Sequence, residues 1–267
     1  MATIRGRVRE VAQPEGGFID PRLMEVSRYD DERVSPLDLQ QETVEPEFVG
    51  MAVDYLSRLM TGDYPLDLFI WAIRGAEQLD DPSAADEASE LVASLYRGVV
   101  DDGAIAAACK LASYIRVFHA GPAAYDPDAR TTPDALTTDH IRLMIDRCIP
   151  FFRDYRAVLM LEECVFPGGY VGTIASEPSE FVKVAETLWD FDASEHGPTK
   201  EHTLQLLAVW LMGLRSGTPQ FKTITHLGVF NPRLNAVSRL ALADIPAGVI
   251  EEVERDVIGS WPDQLTP

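Results

Sequence analysis

Apolar positions in the first half of the chain recur at the three- and four-residue spacing of amphipathic helices. Residues 48–60 follow this spacing until Gly62 ends the pattern, and Pro65 starts a second helix from a first-turn position. After the acidic segment LDDPSAADE, the stretches SELVASLYRGVV and GAIAAACKLASYIRVFHA predict a third and a fourth helix. The sequence therefore predicts that residues 48–120 are predominantly helical and that their apolar faces pack against the rest of the chain.

Two other segments lack this helical pattern. Residues 3–12, TIRGRVREVA, alternate between apolar and polar positions, which predicts a strand. Residues 121–138 contain three prolines and little apolar pattern, which predicts a long surface loop or a domain boundary. We therefore divide the chain into a mainly helical accessory region at 1–120, a loop or linker at 121–138 and an α/β core at 139–267.

Strand-like runs enter the pattern beyond residue 139. The helix HIRLMIDRCIPFFRDY precedes three predicted strands, RAVLMLEECVF, GGYVGTI and TLWDFDAS. The next helix, TKEHTLQLLAVWLMGLRSG, has Thr199 as its N-cap and Gly217 as its stop. FKTITHLGVF and NAVSRLAL follow as strands, and a last helix begins at Pro246. The predicted order is α-β-β-β-α-β with an appended strand and helix.

Composition places the chain among ordinary globular proteins. A length of 267 residues with 46% hydrophobic and 25% charged residues allows a sizeable core. The first ten residues contain no apolar segment, and no stretch reaches the ~18 apolar residues of a membrane-spanning helix. We therefore expect a cytoplasmic protein with no membrane partner. The three cysteines, Cys109, Cys148 and Cys164, are far apart and support neither a disulfide framework nor a zinc site.

The formal net charge of −20 bears on the choice of partner. Nucleic-acid binding draws most of its affinity from Lys and Arg that neutralise phosphates, so this charge disfavours DNA as a ligand. It does not exclude DNA, because Mg²⁺ bridges carboxylates to phosphates and a local basic strip is compatible with an acidic body. A basic protein partner is equally consistent with the charge.

The element order and the stretch GGYVGTI...TLWDFDAS...GPTKEHTLQLLAVWLMG resemble the RecB-like branch of the PD-(D/E)XK nuclease superfamily over residues 139–260. The resemblance implies an α/β fold: a nuclease-like core, with a mixed sheet flanked by helices, after an N-terminal mainly helical region. In that branch one strand carries a metal-binding Asp, the next carries Asp-x-Lys or Glu-x-Lys, and the following helix carries Gln-x-x-x-Tyr. The metal needs acidic oxygens from two adjacent strands, and the lysine orients the attacking water.

Three residues of this chain fall at motif positions of the second strand and the helix. Asp190 stands where the second-strand acid belongs, and Gln205 stands at the glutamine of the helix motif. Asp192 stands where the lysine belongs, on the same strand face as Asp190, because side chains alternate along a strand. The resemblance therefore implies a vestigial or rearranged catalytic set of Asp190, Asp192 and Gln205, with Asp190 and Asp192 as weak metal ligands or none.

The other motif positions carry residues without the required chemistry. The first-strand Asp is replaced by Gly172, or by Ala175 in the alternative register, and neither coordinates a metal. Val209 replaces the tyrosine of the helix motif. We therefore expect no cofactor, and Mg²⁺ or Mn²⁺ only if the protein is active.

These observations leave three functional hypotheses. The first is a catalytically impaired nuclease-like protein that retains the fold for binding nucleic acid or a partner. The second is an active Mg²⁺- or Mn²⁺-dependent DNA nuclease with a rearranged acidic site, whose third ligand comes from Glu162, Glu163, Glu177 or Glu180. The third is an acidic protein-binding module with no nucleic-acid role. The chain lacks GxxxxGK[ST], GxSxG and HExxH, so P-loop NTPases, α/β-hydrolases and zincins are not supported.

Overall fold

The computed structural model describes residues 4–29, 37–155, 157–160, 182–184, 186–215 and 219–259. Its helices are α1 (Ile4–Glu10), α2 (Pro46–Thr61), α3 (Pro65–Ala76), α4 (Pro82–Ser94), α5 (Asp102–Ala120), α6 (Ala135–Tyr155), α7 (Lys200–Arg215) and α8 (Ala247–Val253). Its strands are β1 (Glu25–Arg28), β2 (Ala157–Met160), β3 (Val182–Val184), β4 (Thr187–Phe191), β5 (His226–Asn231) and β6 (Ala236–Ala241).

The strands form one sheet in the order β1-β6-β5-β4-β3-β2. Strands β4 and β5 are parallel, and every other neighbouring pair is antiparallel. Helix α7 connects β4 to β5, as a parallel pair requires a crossover connection. The expected α/β class, with a mixed sheet flanked by helices, is confirmed, and β4 lies near the centre of the sheet.

The two faces of the sheet bury different sets of helices. Trp189, Phe230 and Val237 belong to the core that α2, α3, α4, α5 and α6 share, so the predicted N-terminal helices are present and contact the sheet. Alternate strand residues face α1, α7 and α8 on the opposite side: Leu188, Leu227, Val229 and Leu240. The residues of α7 that its helical spacing predicts to face the core are all buried: Leu204, Leu207, Ala208 and Leu211.

The first residues of the chain form a helix, so the strand predicted at 3–12 is wrong. Ile4 and Val8 lie four residues apart and are both buried in the core that α7 shares, which is the spacing of one helix face. The guanidinium of Arg7 donates to the backbone oxygens of Val257 and Asp256, at 3.1 and 2.8 Å. Packing against α7 and hydrogen bonding to residues 256 and 257 therefore outweigh the short alternating pattern in deciding the structure of this segment.

Two helices begin earlier than their apolar pattern indicates. Helix α4 starts inside the acidic segment that the sequence assigned to a separator, because the Asp81 carboxylate accepts the Ser83 N–H and Pro82 occupies the first turn. Helix α6 starts at residue 135, within the predicted 121–138 loop, where the Asp134 carboxylate accepts the Thr137 N–H at 2.8 Å. Both helices gain a first turn from a capping aspartate.

The strand beside β4 also differs from the prediction. The sequence assigned GGYVGTI as the strand that precedes TLWDFDAS, and that stretch, with Gly172 and Ala175, lies outside the described residues. Strand β3, which pairs with β4, was not predicted. The four-residue strand β1 was also missed, since all of its residues are exposed and leave no alternation.

We expect Gly228→Ala to lower the free energy of unfolding by about 1–3 kcal/mol. A Cβ at this position would lie 2.3 Å from the Trp189 ring, which anchors the N-terminal helices to the sheet. Gly248→Ala is the matched control, because a Cβ there meets nothing within 4 Å, and it should stabilise by about 0.4–1 kcal/mol. Urea unfolding distinguishes the two, and equal effects would contradict the close packing of Trp189 on β5.

Candidate functional site

Asp190 lies on β4 and faces the layer that contains α7. Its strand neighbours Leu188 and Trp189 belong to the cores on opposite sides of the sheet, so alternation places Asp190 on the side of Leu188. Its partner in β5 is Val229, which is buried in the same core. The residue is 7% exposed. The sheet therefore holds this acid in a nearly dry position between β4 and α7.

Asp192 follows the last residue of β4 and organises the loop that leads to α7. Its carboxylate accepts the N–H of Ser194 at 3.0 Å and the hydroxyl of Ser194 at 2.7 Å. The Nδ2 group of Asn231 lies 3.5 Å from the same carboxylate and donates to the backbone oxygens of Ser194 and His196 at 2.9 and 3.2 Å. Asp192 is therefore bound to its own loop.

Gln205 is buried, although the apolar spacing of Leu204, Leu207, Ala208 and Leu211 along α7 predicts a more polar side for it. It is 8% exposed, in a run of buried residues from Thr203 to Val209. Both neighbours of the residue, Leu204 and Leu206, are fully buried, since this helix lies between the sheet and α1. Gln205 is thus buried on the helix that covers the side of the sheet on which Asp190 lies.

His202 caps the N-terminus of α7. The Nδ1 atom of its ring accepts the backbone N–H of Thr199 at 3.0 Å, and the Thr199 hydroxyl lies 3.5 Å from the backbone nitrogen of His202. This reciprocal pair has the form of a capping box in which histidine replaces the usual acid. The predicted N-cap at Thr199 is confirmed, and the Nδ1 lone pair of His202 is already engaged.

The described residues bring no third acid, histidine or cysteine to Asp190 and Asp192. Across the part of the chain that the structure describes, no group of three such side chains is arranged to hold a metal ion. Glu162, Glu163, Glu177 and Glu180, the candidates for a third ligand, lie outside the described residues. Among the described residues, the candidate metal ligands at this site are therefore Asp190 and Asp192. The carboxylate of Asp192 is already hydrogen-bonded to Ser194 in its own loop.

A buried ion pair, which the sequence did not indicate, lies beside this loop. The two terminal nitrogens of Arg233 donate to the two carboxylate oxygens of Glu42 at 2.7 and 3.0 Å. The side chains of Arg233 and Glu42 are 2% and 1% exposed. Nδ1 of His140 lies 2.9 Å from the same carboxylate. This two-point geometry is the strong form of an arginine–carboxylate contact.

Arg233 also donates to two backbone oxygens, one in the loop after β4 and one in the segment that carries Glu42. Its Nε donates to Ala193, in the loop after β4, at 2.6 Å, and its Nη1 donates to Leu37 at 2.9 Å. The Nη1 group of Arg147, on α6, donates to the backbone oxygens of Pro232 and Arg233 at 2.9 Å each. Arg233 therefore joins the β5–β6 turn, in which it lies, to the 37–42 segment and to the loop after β4.

This network occupies the carboxyl ends of the parallel strands β4 and β5. In open α/β sheets that edge is the usual place for a ligand. Here the Arg233 guanidinium is committed to Glu42 and to backbone oxygens, and Asp192 is committed to Ser194. The side chains at this edge therefore hold its loops together. Because Arg233 already binds Glu42 and backbone oxygens, its guanidinium does not face solvent as a phosphate-binding group would.

Comparison of the chain with protein families, with curated proteins and with solved structures gives no significant match. None of the described helices combines the length and the apolar character needed to cross a membrane. The functional argument therefore depends on the geometry described above and on the motif resemblance.

We expect Glu42→Ala to lower the free energy of unfolding by about 3–5 kcal/mol, because it leaves the buried Arg233 charge uncompensated. Glu47→Ala is the control, since its side chain is 53% exposed and its loss should change stability by less than about 0.5 kcal/mol. Urea unfolding at neutral pH measures both. Similar midpoints for the two variants would contradict a structural role for the Arg233–Glu42 pair.

We expect Cys109 and Cys148 to resist labelling by dithionitrobenzoate in the native protein. Burial, and then the Glu42 carboxylate, raises the pKa of the Cys109 thiol to about 12, and burial also raises the pKa of Cys148. Both folded-state values exceed the unfolded one, so their contribution to stability is complete below about pH 8.5 and declines as the pH rises further. A Cys164→Ser variant isolates these thiols, and rapid labelling at neutral pH without denaturant would contradict their burial.

Proposed function

We propose that this chain is a nuclease-like protein that has lost efficient metal-dependent cleavage and keeps its α/β scaffold for binding nucleic acid or a protein partner. The observation that carries the proposal is the state of Asp192. This residue stands where the motif has its lysine, and its carboxylate is held by Ser194 while Asn231 lies within 3.5 Å.

The element order supports the nuclease-like part of the proposal. Among the described residues, helix α6, strands β2, β3 and β4, helix α7 and strand β5 come in this sequence, which is compatible with the α-β-β-β-α-β order. Asp190 lies on β4, near the centre of the sheet, and Gln205 lies on the helix that immediately follows. These are the elements on which the resemblance places the second-strand acid and the helix glutamine.

The charges at the site support the loss of cleavage. A working centre of this kind needs a cationic lysine beside the metal to orient the attacking water. Asp192 carries the opposite charge, and the buried cation near its loop, Arg233, is neutralised by Glu42. Two carboxylates supply few ligands for a divalent metal, and without that lysine no group positions the attacking water.

An active nuclease with a rearranged site is the second candidate, and the position of Asp190 favours it. Asp190 lies on β4, near the centre of the sheet, where the resemblance places an acid that binds Mg²⁺ or Mn²⁺. The third candidate, an acidic module that binds a basic protein and no nucleic acid, is favoured by the net charge of −20.

We expect no cleavage of linear or single-stranded DNA by the natural protein in the presence of Mn²⁺. The variant to compare is Gly172→Asp, Asp192→Lys, which introduces the two side chains that the resemblance assigns to these positions. An Asp192→Asn variant is the control for the loop, because it removes the charge and keeps one of the two oxygen acceptors that bind Ser194. Gel electrophoresis of labelled DNA measures all three.

Each outcome of this assay separates the candidates. Cleavage by the natural protein that Asp190→Asn abolishes would overturn the proposal and favour the rearranged site. Cleavage by the double variant alone would support a nuclease-like scaffold that lacks two side chains. If neither cleaves and fluorescence anisotropy detects no DNA binding, the acidic protein-binding module becomes the better account.

A further inference from the structure

A set of exposed apolar side chains lies at one end of the N-terminal helices. Among the large apolar residues that the structure exposes, Tyr64 is 69% exposed, Val99 61% and Tyr96 55%. Monomeric proteins rarely group such side chains without a function. We call the group the bundle-end patch, and its members are Met60, Tyr64, Leu66, Tyr96 and Val99.

The order of the helices brings these side chains together. Met60, Tyr64 and Leu66 flank the tight turn between α2 and α3, where Gly62 has a φ of 111°. Only residues 77–81 connect α3 to α4, so these two helices, of 12 and 13 residues, run antiparallel. The end of α4, with Tyr96 and Val99 just beyond it, therefore returns to the level at which α3 begins.

Two exposed charges of opposite sign accompany the patch. Asp67 lies in the first turn of α3, and Arg97 lies between Tyr96 and Val99. Both residues are exposed. Among the described residues, neither belongs to an ion pair, in contrast to the Arg58–Asp63 pair at 3.5 Å in the same region. The patch thus offers an acid and a base for which the described part of the chain supplies no ion-pair partner.

We propose that the bundle-end patch is an interface between two copies of this chain. A two-fold dimer places the same surface of each copy against the other, so residue i meets residue j and j meets i. A surface with its own exposed acid and base satisfies this condition, because Arg97 of each copy can meet Asp67 of the other. A basic partner would leave Arg97 unmatched, and an acidic partner would leave Asp67 unmatched.

The small number of apolar side chains and the net charge bear on the expected strength. Five side chains are far fewer than the roughly 20–30 residues that each partner contributes to a stable interface, so we expect a transient dimer with a dissociation constant on the order of 100 µM. The charge of −20 on each copy opposes association at low ionic strength. Raising the salt to about 0.5 M should therefore strengthen the dimer, because screening reduces the repulsion between two chains of charge −20 more than it weakens the two exposed Arg97–Asp67 contacts.

Sedimentation equilibrium from about 10 µM to about 1 mM protein tests the proposal. We expect the average mass to rise from the monomer value of 29.6 kDa towards twice that value. Tyr64→Ser should raise the dissociation constant about tenfold. Its fold should be intact, because residue 64 is the N-cap of α3, where serine is favoured. Leu23→Ser, at a residue that is 62% exposed outside the patch, is the matched control.

Charge reversal supplies the second measurement. Asp67→Lys and Arg97→Glu alone should each raise the dissociation constant about three- to fivefold, and the double variant should restore it. A mass of one chain at every concentration and salt would overturn the proposal. So would a dimer that Leu23→Ser weakens as much as Tyr64→Ser does, or one for which the double charge reversal gives no recovery.

Discussion

The buried ion pair between Arg233 and Glu42 is the interaction on which the carboxyl edge of the sheet depends. Two charges that are 2% and 1% exposed are tolerated only when each fully satisfies the other. Satisfying Arg233 also requires backbone oxygens from residues 37 and 193, so one side chain fixes the position of two loops. The N-terminal segment and the sheet are therefore held together by a contact between residues 191 positions apart.

That contact also determines what the candidate site can do. Because Arg233 holds the loop after β4 and Asn231 binds the same loop, Asp192 is placed as an anchor for Ser194. Under the proposed function, a cleaving relative would need the reverse arrangement, in which the side chain at this position is free to act on water. Asp190 lies near the centre of the sheet, where the proposed resemblance places the second-strand acid.

Long periodic helices were predictable from the sequence, and short or long-range features were not. The helices from α2 to α7 were found because their apolar faces repeat over many turns. Helix α1 was mistaken for a strand because seven residues fit both patterns, and packing against α7 decided between them. The four exposed residues of β1 had no periodicity to detect.

The sequence singled out site residues only through the resemblance. The role of Asp190 stays a prediction, whereas the burial of Gln205 was missed because a polar residue was expected on a polar face of α7. Glu42 lies in a polar, turn-rich segment, and nothing local connects it with Arg233 or His140. Such pairs follow from the tertiary fold, which the sequence pattern does not specify.

The most direct test of the account is a titration of the natural protein with Mn²⁺, followed by electron paramagnetic resonance of the free ion. The account predicts no binding tighter than about 1 mM, because two carboxylates with one committed to a loop are too few ligands for a hard divalent cation. Binding of one Mn²⁺ per chain in the micromolar range, lost in Asp190→Asn, would contradict it.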